Sequence, residues 1–233
     1  MGFGRDLVTK QYKIIKVFNP ELNEYFLPEL CEIFTLDSNP WASWKIIGLV
    51  PYKIDLSATP VHINGAIYWF TDVIYHPFPS TIIVMFDIHK EKFEATPQPS
   101  CCSNPTRPRS LMQLGSLRGC LCLAEQESDT QLNIWIMEEM INASPDEVKS
   151  TVTWKKIFGI NLLLIDPQIG LRFSIAERKD GILLICGCGD KMYLYDPKSK
   201  NLTFASHGRD QFLPITFTES LVPLYGHRLE PGT

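Results

Sequence analysis

The cysteines and histidines of this chain are where chemistry would be sought first. Cys120 and Cys122 form one C-x-C pair, and Cys186 and Cys188 form another. On a β-strand, residues two apart share a face, so two such pairs brought together would make a Cys₄ zinc site. Structural zinc favours C-x₂-C spacing instead. Both pairs also sit in apolar runs, where a free thiol behaves as a small hydrophobe. No metal is therefore expected. Cys101 and Cys102 adjoin the loop sequence "SNPTRPR" and read as incidental loop thiols. The five histidines, at 62, 76, 89, 207 and 227, are scattered. His62 reads as a hydrogen-bonded structural residue, and His89 as an exposed turn residue. Asp87 and Asp196 occupy equivalent turns and are expected to cap them. The motifs G-x-S-x-G, H-E-x-x-H and the P-loop are missing. A nucleophile, a base and an orienting group must converge in space for covalent catalysis, and no ordered set offers them. No catalytic residues and no cofactor are expected, so the chain is not read as an enzyme. An enzyme on the same scaffold would need three such groups to converge.

Interaction surfaces are the better prospect. Tyr75, His76 and Phe78 lie on the long connection "TDVIYHPFPST" (71–81), between prolines. Aromatics on a Pro-stiffened loop lose little entropy on binding and make good anchors. Arg107 and Arg109, in "NPTRPRS" (104–110), offer charged contacts.

Short strands must position these residues. "HINGAIYWF" (62–70), "LRGCLCLAE" (117–125) and "KDGILLICG" (179–187) share one shape: a polar residue, then Gly, then an apolar run. Gly tolerates φ > 0 and closes a tight turn, and the run suits a strand buried on both faces. A second element recurs in "FNPELNEYF" (18–26), "FDIHKEKFE" (86–94) and "YDPKSKNLTF" (195–204): an aromatic, Asn or Asp, a polar turn, then a returning strand. Glu138 marks a degenerate fourth copy. "MEEMINASPDEVKS" (137–150) reads as a long exposed connection. The Gly steps at 65, 119 and 181 give a period of roughly 50–65 residues. Strands predicted at 12–18, 44–50 and 81–88, with pairs 131–138/153–160 and 191–197/202–206, complete the pattern. It implies an all-β fold, an incomplete kelch-like β-propeller of about three to four blades. Trp44, Trp69, Trp135 and Trp154 are expected to pack between blades.

Bulk properties narrow the class. The 233 residues carry 22 basic and 26 acidic side chains, a net charge of −4. That balance gives nucleic-acid binding no support. No apolar stretch reaches the roughly 18–20 residues of a membrane span, and the N-terminus lacks a signal-peptide core. Seven cysteines, an odd number without scaffold spacing, read as reduced thiols. The expected location is cytoplasmic and/or nuclear. No linker divides the chain, so residues 1–226 read as one domain and 227–233 as a tail.

Several segments, in order, resemble the plant F-box-associated domain carried by F-box proteins. "GFGRDLVTKQYKIIKV" (2–17) is similar to its opening element, with Arg5 and Leu7 departing from the usual Tyr and Pro. "WASWKII" resembles its "SWR" strand, and "HINGAIYWF" its Asn-Gly–hydrophobic–Tyr-Trp element. "IIVMFDIHKEKFEATPQP", "SLRGCLCLAEQESDTQLNIWIMEE", "TWKKIF", "YLYDPKSKNL" and "ESLVPL" follow the family order to residue 224. The resemblance implies a protein-binding module that recruits target proteins to an SCF ubiquitin ligase. A Skp adaptor would be a partner only through an F-box upstream. Met1 stands directly before the opening element, so the F-box and the first blade or blades are expected to be absent. The alternative is a truncated remnant, or a decoy that binds targets without docking the ligase.

Overall fold

The computed structural model describes residues 1–20, 29–36, 43–72, 83–103, 111–144, 147–162, 174–178, 180–186 and 191–207. They are almost entirely β. Sixteen strands form four antiparallel four-stranded sheets, each meandering in chain order. Sheet 1 contains β1 (Gly2–Arg5), β2 (Tyr12–Phe18), β3 (Leu30–Leu36) and β4 (Lys45–Leu49). Sheet 2 contains β5 (Val61–Ile63), β6 (Ala66–Phe70), β7 (Ile83–Asp87) and β8 (Lys92–Ala95). A 3₁₀ turn follows at Ser100–Ser103. Sheet 3 contains β9 (Met112–Leu117), β10 (Cys120–Ser128), β11 (Gln131–Ser144) and β12 (Glu147–Asn161). Sheet 4 contains β13 (Ser174–Glu177), β14 (Leu183–Cys186), β15 (Lys191–Asp196) and β16 (Asn201–His207). Two compact units divide the chain between Thr96 and Pro97, the first holding sheets 1 and 2, the second sheets 3 and 4. No helix among the described residues is long and apolar enough to cross a membrane.

The Gly-led runs do become strands buried on both faces. All five residues of β6 are buried, as are Leu121 to Gln126 of β10. The turns before them differ. Asn64 and Gly65 have φ of 49° and 80°, and Arg118 and Gly119 have φ of 54° and 72°. Two consecutive positive φ values match the right-handed twist of a tight hairpin. The third copy is closed otherwise. Asp180 Oδ1 accepts a hydrogen bond from Ile182 N at 3.2 Å, and Gly181 N donates to Arg178 O at 2.9 Å.

The Asp turns repeat closely. Asp87 Oδ1 accepts from His89 N at 2.9 Å and Lys90 N at 2.8 Å, and Glu91 then has φ of 55°. Asp196 Oδ1 accepts from Lys198 N at 2.9 Å, and Lys200 has φ of 56°. A further copy is Asp6. Its Oδ1 accepts from Val8 N at 2.8 Å and Thr9 N at 3.1 Å, and Lys10 has φ of 63°. The copy expected at Glu138 does not form. Residues 137–150, expected as an exposed connection, belong to a long hairpin in which β11 pairs with β12 from Gln131↔Asn161 to Ser144↔Glu147. A run of main-chain pairing satisfies the polar backbone there, where a loop would leave it to water. The predicted repeat at 18–26 lies mostly outside the described residues.

In the first unit, sheet 1 lies face-on against sheet 2. Ile15, Val17, Cys31 and Ile33 pack with Ile67, Trp69, Val84, Phe86 and Ile88. Gly2 and Gly4 make the approach possible. A Cβ at Gly4 would stand 2.4 Å from the His62 ring and 2.5 Å from Ile88 Cδ1. In the second unit, Cys122, Ala124, Leu132, Ile134 and Ile136 of sheet 3 pack with Leu183, Ile185, Tyr193 and Tyr195 of sheet 4.

Of the four tryptophans expected to pack between blades, only Trp69 is core, at 2% exposure. Trp44 is 41% exposed, contrary to expectation. Trp135 and Trp154 are half-buried and use their indole N–H. Trp135 Nε1 donates to Glu125 Oε2 at 3.0 Å, and Trp154 Nε1 donates to Pro97 O at 2.6 Å. A half-buried Trp with a polar handle settles where its N–H finds an acceptor.

Candidate functional site

Two groupings in the first unit stand out. The first is a buried charge cluster where β2 meets the β7–β8 turn. Asp6 is fully buried, and Lys13 is nearly so. Lys13 Nζ donates to Ile88 O at 3.0 Å and Glu91 Oε1 at 3.0 Å, and lies 3.5 Å from Asp6 Oδ2. His89 Nδ1 reaches the same Asp6 oxygen at 3.2 Å. Lys45 Nζ closes the chain on Glu91 Oε2 at 2.6 Å. Burial pushes the Asp6 carboxyl upward. The N–H groups of Thr9 and Val8 outweigh it, with help from His89 and the Thr9 hydroxyl, and hold the group well below the usual carboxylate range. Glu91 is likewise lowered: burial opposes ionisation, but Lys45 and Lys13 prevail. Its carboxylates, Asp6 and Glu91, are matched by Lys13, Lys45 and His89, so it pins one sheet to the next. His89, read as merely exposed, is tied into it because its turn folds over Asp6.

The second grouping is the opposite face of sheet 1. Along β2 the odd-numbered residues Lys13, Ile15 and Val17 point into the core, and the even-numbered ones point away. Cross-strand register lines up Phe3, Ile14 and Phe34 in one row, and Lys16, Glu32 and Ile46 in the next. Phe18, Leu30 and Leu49 form another. Phe3 stacks on Tyr12 at 5.6 Å, and Trp44 tilts on Phe34 at 5.5 Å. Lys16 Nζ sits 4.2 Å over the Phe18 ring and 5.8 Å over Trp44. Phe3 is 52% exposed, Ile46 65% and Leu49 64%. Scattered exposed apolar residues are ordinary, but a contiguous aromatic face rimmed by charge marks an interaction surface.

The anchors expected from sequence, Tyr75, His76, Phe78, Arg107 and Arg109, lie outside the described residues. His62 is the structural residue expected, with Nε2 accepting from Arg5 N at 3.3 Å. Asp87 and Asp196 cap turns as expected. Cys122 is core, its thiol pushed up to about 12 by burial. Cys186 is also buried, while Cys188 lies outside the described residues. Cys101 and Cys102 are not loop thiols: they sit in the 3₁₀ turn, and Cys102 is 3% exposed. No group of three or more His, Cys, Asp and Glu side chains able to hold a metal ion occurs among the described residues. The charge cluster and the aromatic face both escaped sequence reasoning. A signal for the cluster existed: "RDLVTK" repeats the Asp-turn plan of "FDIHKE" and "YDPKSK".

Comparison with known proteins agrees with the blade-like repeats. The model of the F-box associated beta propeller domain matches residues 1–224. The chain belongs to that family. Its relatives are F-box proteins of Arabidopsis thaliana. A putative F-box protein is 29% identical over 180 residues, covering 74% of this chain and 33% of the relative. An F-box protein is 23% identical, covering 96% of this chain and 61% of the relative. An F-box/LRR-repeat protein is 29% identical, covering 96% and 49%. The chain thus spans from a third to three fifths of the length of these relatives. In F-box-associated terms, the GFG element is the strand whose glycines let sheet 1 close on sheet 2. The Asn-Gly element is the tight turn leading into the doubly buried β6.

Proposed function

We propose that this F-box-associated domain is the target-holding part of an F-box protein in a cullin-based ubiquitin ligase. Its targets are proteins, and the outer face of sheet 1 is one surface on which they seat. The observation that carries this reading is that face. Aromatic and branched side chains stand exposed on a rigid sheet, with Lys16 and Arg5 among them, which is the composition of binding hot spots. Tyr75, His76, Phe78, Arg107 and Arg109 are proposed as further contacts. Docking to a Skp adaptor would belong to an F-box elsewhere in the native protein. The proposal places the protein in the cytoplasm and/or nucleus.

The test uses the protein as the native transcript encodes it, epitope-tagged in plant cells. Proteins that co-purify are compared with and without inhibition of cullin neddylation, and for Ile46→Asp and Tyr75→Ala/Phe78→Ala variants. The expected result is a partner that accumulates when neddylation is blocked and is lost from the Ile46→Asp protein. A partner bound equally by every variant would reject these surfaces. A partner whose level ignores neddylation would favour a decoy over a ligase subunit.

A further inference from the structure

The face of sheet 3 that points away from its core carries a compact group of sulfur atoms. Alternation along β10 places Cys122 and Ala124 in the core and sends Glu125 to the other side. Met112 of β9 and Asn133 of β11 are the direct cross-strand partners of Glu125, so Met112, Glu125 and Asn133 form one row on that face. The 3₁₀ turn lies over this row, its approach pinned where Trp154 bonds to Pro97 O. Cys102 Sγ comes within 3.8 Å of Met112 Sδ, and Cys101 Sγ within 3.9 Å of Cys102 Sγ. The negative charge of the Glu125 carboxylate acts on Cys101. Glu125 itself is 1% exposed and accepts from Asn133 Nδ2 at 3.3 Å and Trp135 Nε1 at 3.0 Å. Cys101 is only half-buried, which leaves a way in from solvent.

We infer that Cys101, Cys102 and Met112 form a binding site for a monovalent soft metal ion, copper(I).

Two observations support the assignment. Two thiols and a thioether are the soft donor set that selects copper(I) over magnesium, calcium or manganese. The two sulfur–sulfur edges that meet at Cys102, 3.9 and 3.8 Å, suit a three-coordinate ion. With metal–sulfur bonds of about 2.3 Å, the edge of a trigonal site is about 4.0 Å.

The binding step balances simply. Each cysteine loses its proton as its sulfur–copper bond forms, and Met112 donates a lone pair without losing anything. Two protons leave to solvent, and copper stays in the +1 state throughout. Because two protons compete with one ion, affinity should rise by about a hundredfold per pH unit while both thiols are protonated.

The experiment titrates the full chain with copper(I) itself, anaerobically and with reductant, against a chromophoric copper(I) chelator at pH 6, 7 and 8. Wild type is compared with Cys101→Ser, Met112→Leu and Cys120→Ser, each checked for folding by circular dichroism. The expected result is one ion per chain and the steep pH dependence just given. Cys101→Ser should lose at least the 10–100-fold that removing even an outer partner costs. Met112→Leu should lose about tenfold, and Cys120→Ser nothing. Equal affinity in wild type and folded Cys101→Ser would overturn the site. So would a pH slope near zero, or a loss on Cys120→Ser as large as on Cys101→Ser.

Discussion

The two units solve the same packing problem with different chemistry. In each, one four-stranded sheet lies on another through residues of their inner strands. The second unit does it with aliphatic and tyrosine side chains, from Leu132 and Ile134 to Tyr193 and Tyr195. Its buried carboxylate among the described residues, Glu125, lies on the other face of sheet 3. The first unit also has an apolar core, but charges are buried around it: Asp6 with Lys13, and Glu29, whose Oε2 accepts from Ile54 N at 3.0 Å and whose Oε1 lies 3.2 Å from Lys53 Nζ. The seam of the second unit is sealed at its surface, where Arg118 makes a two-pronged pair with Glu177 at 2.9 and 3.1 Å. Apolar packing tolerates sliding of similar side chains past one another. A matched set of buried charges accepts one register, because any other strands an ion away from water.

This difference predicts how each unit fails. The largest effect should come from Lys13→Met, which leaves Asp6 buried with its cationic partner gone. A loss of about 3–5 kcal/mol is expected, read by urea unfolding and localised to residues 1–96 by peptide-resolved hydrogen exchange. The Asp6→Asn/Lys13→Met double variant should recover part of it, because no unpaired charge remains. Equal losses in single and double variants would sink the charge-matching account. Ile134→Ala should cost about 2–5 kcal/mol in the second unit, through a cavity and with no change in pH dependence.

The pH profile separates the units further. Asp6 and Glu91 have folded pKa values below their unfolded ones, near 3.9 and 4.3. Their stabilisation is fully present above those values and is lost as pH falls toward the folded ones. Hydrogen exchange should therefore show residues 1–96 opening first below about pH 4, and Asp6→Asn should flatten that acid limb. Simultaneous opening of both units in wild type would contradict it.

Gly4→Ala is a smaller test, at about 1–3 kcal/mol, because its Cβ would overlap the His62 ring and Ile88. An unchanged melting temperature would show that sheet 1 can back away from sheet 2. The smallest stability effect belongs to Trp44→Ala, about 0.5 kcal/mol, because the residue is 41% exposed and lies outside the core. Target capture should nonetheless weaken.

Much of the fold was legible in the residues. "YKIIKVF" became β2 over the predicted residues, because a short alternating run has one way to bury its apolar face. The expected pairs 131–138/153–160 and 191–197/202–206 formed as β11–β12 and β15–β16. The hairpin at 137–150 was missed because its polar, charged composition lacks the period of a half-buried strand. Trp44 was overread, since exposure depends on what lies opposite and not on residue type. Lys13 was invisible as a buried residue because nothing local announces that its partners stand 75 and 78 residues away.

Sequence by itself determined the local grammar: where strands start, which Asp caps which turn, and that Gly-led runs have no wet face. These follow from backbone sterics and hydrogen bonds within a few residues. Tertiary structure alone decided which side chains meet. Asp6 joins His89, Cys102 joins Met112, and Phe3, Ile14, Phe34 and Trp44 assemble on one outer face. Those meetings depend on strand register and on how closely two sheets approach. Many sequence-distant contacts set both at once, and no window of the chain contains them.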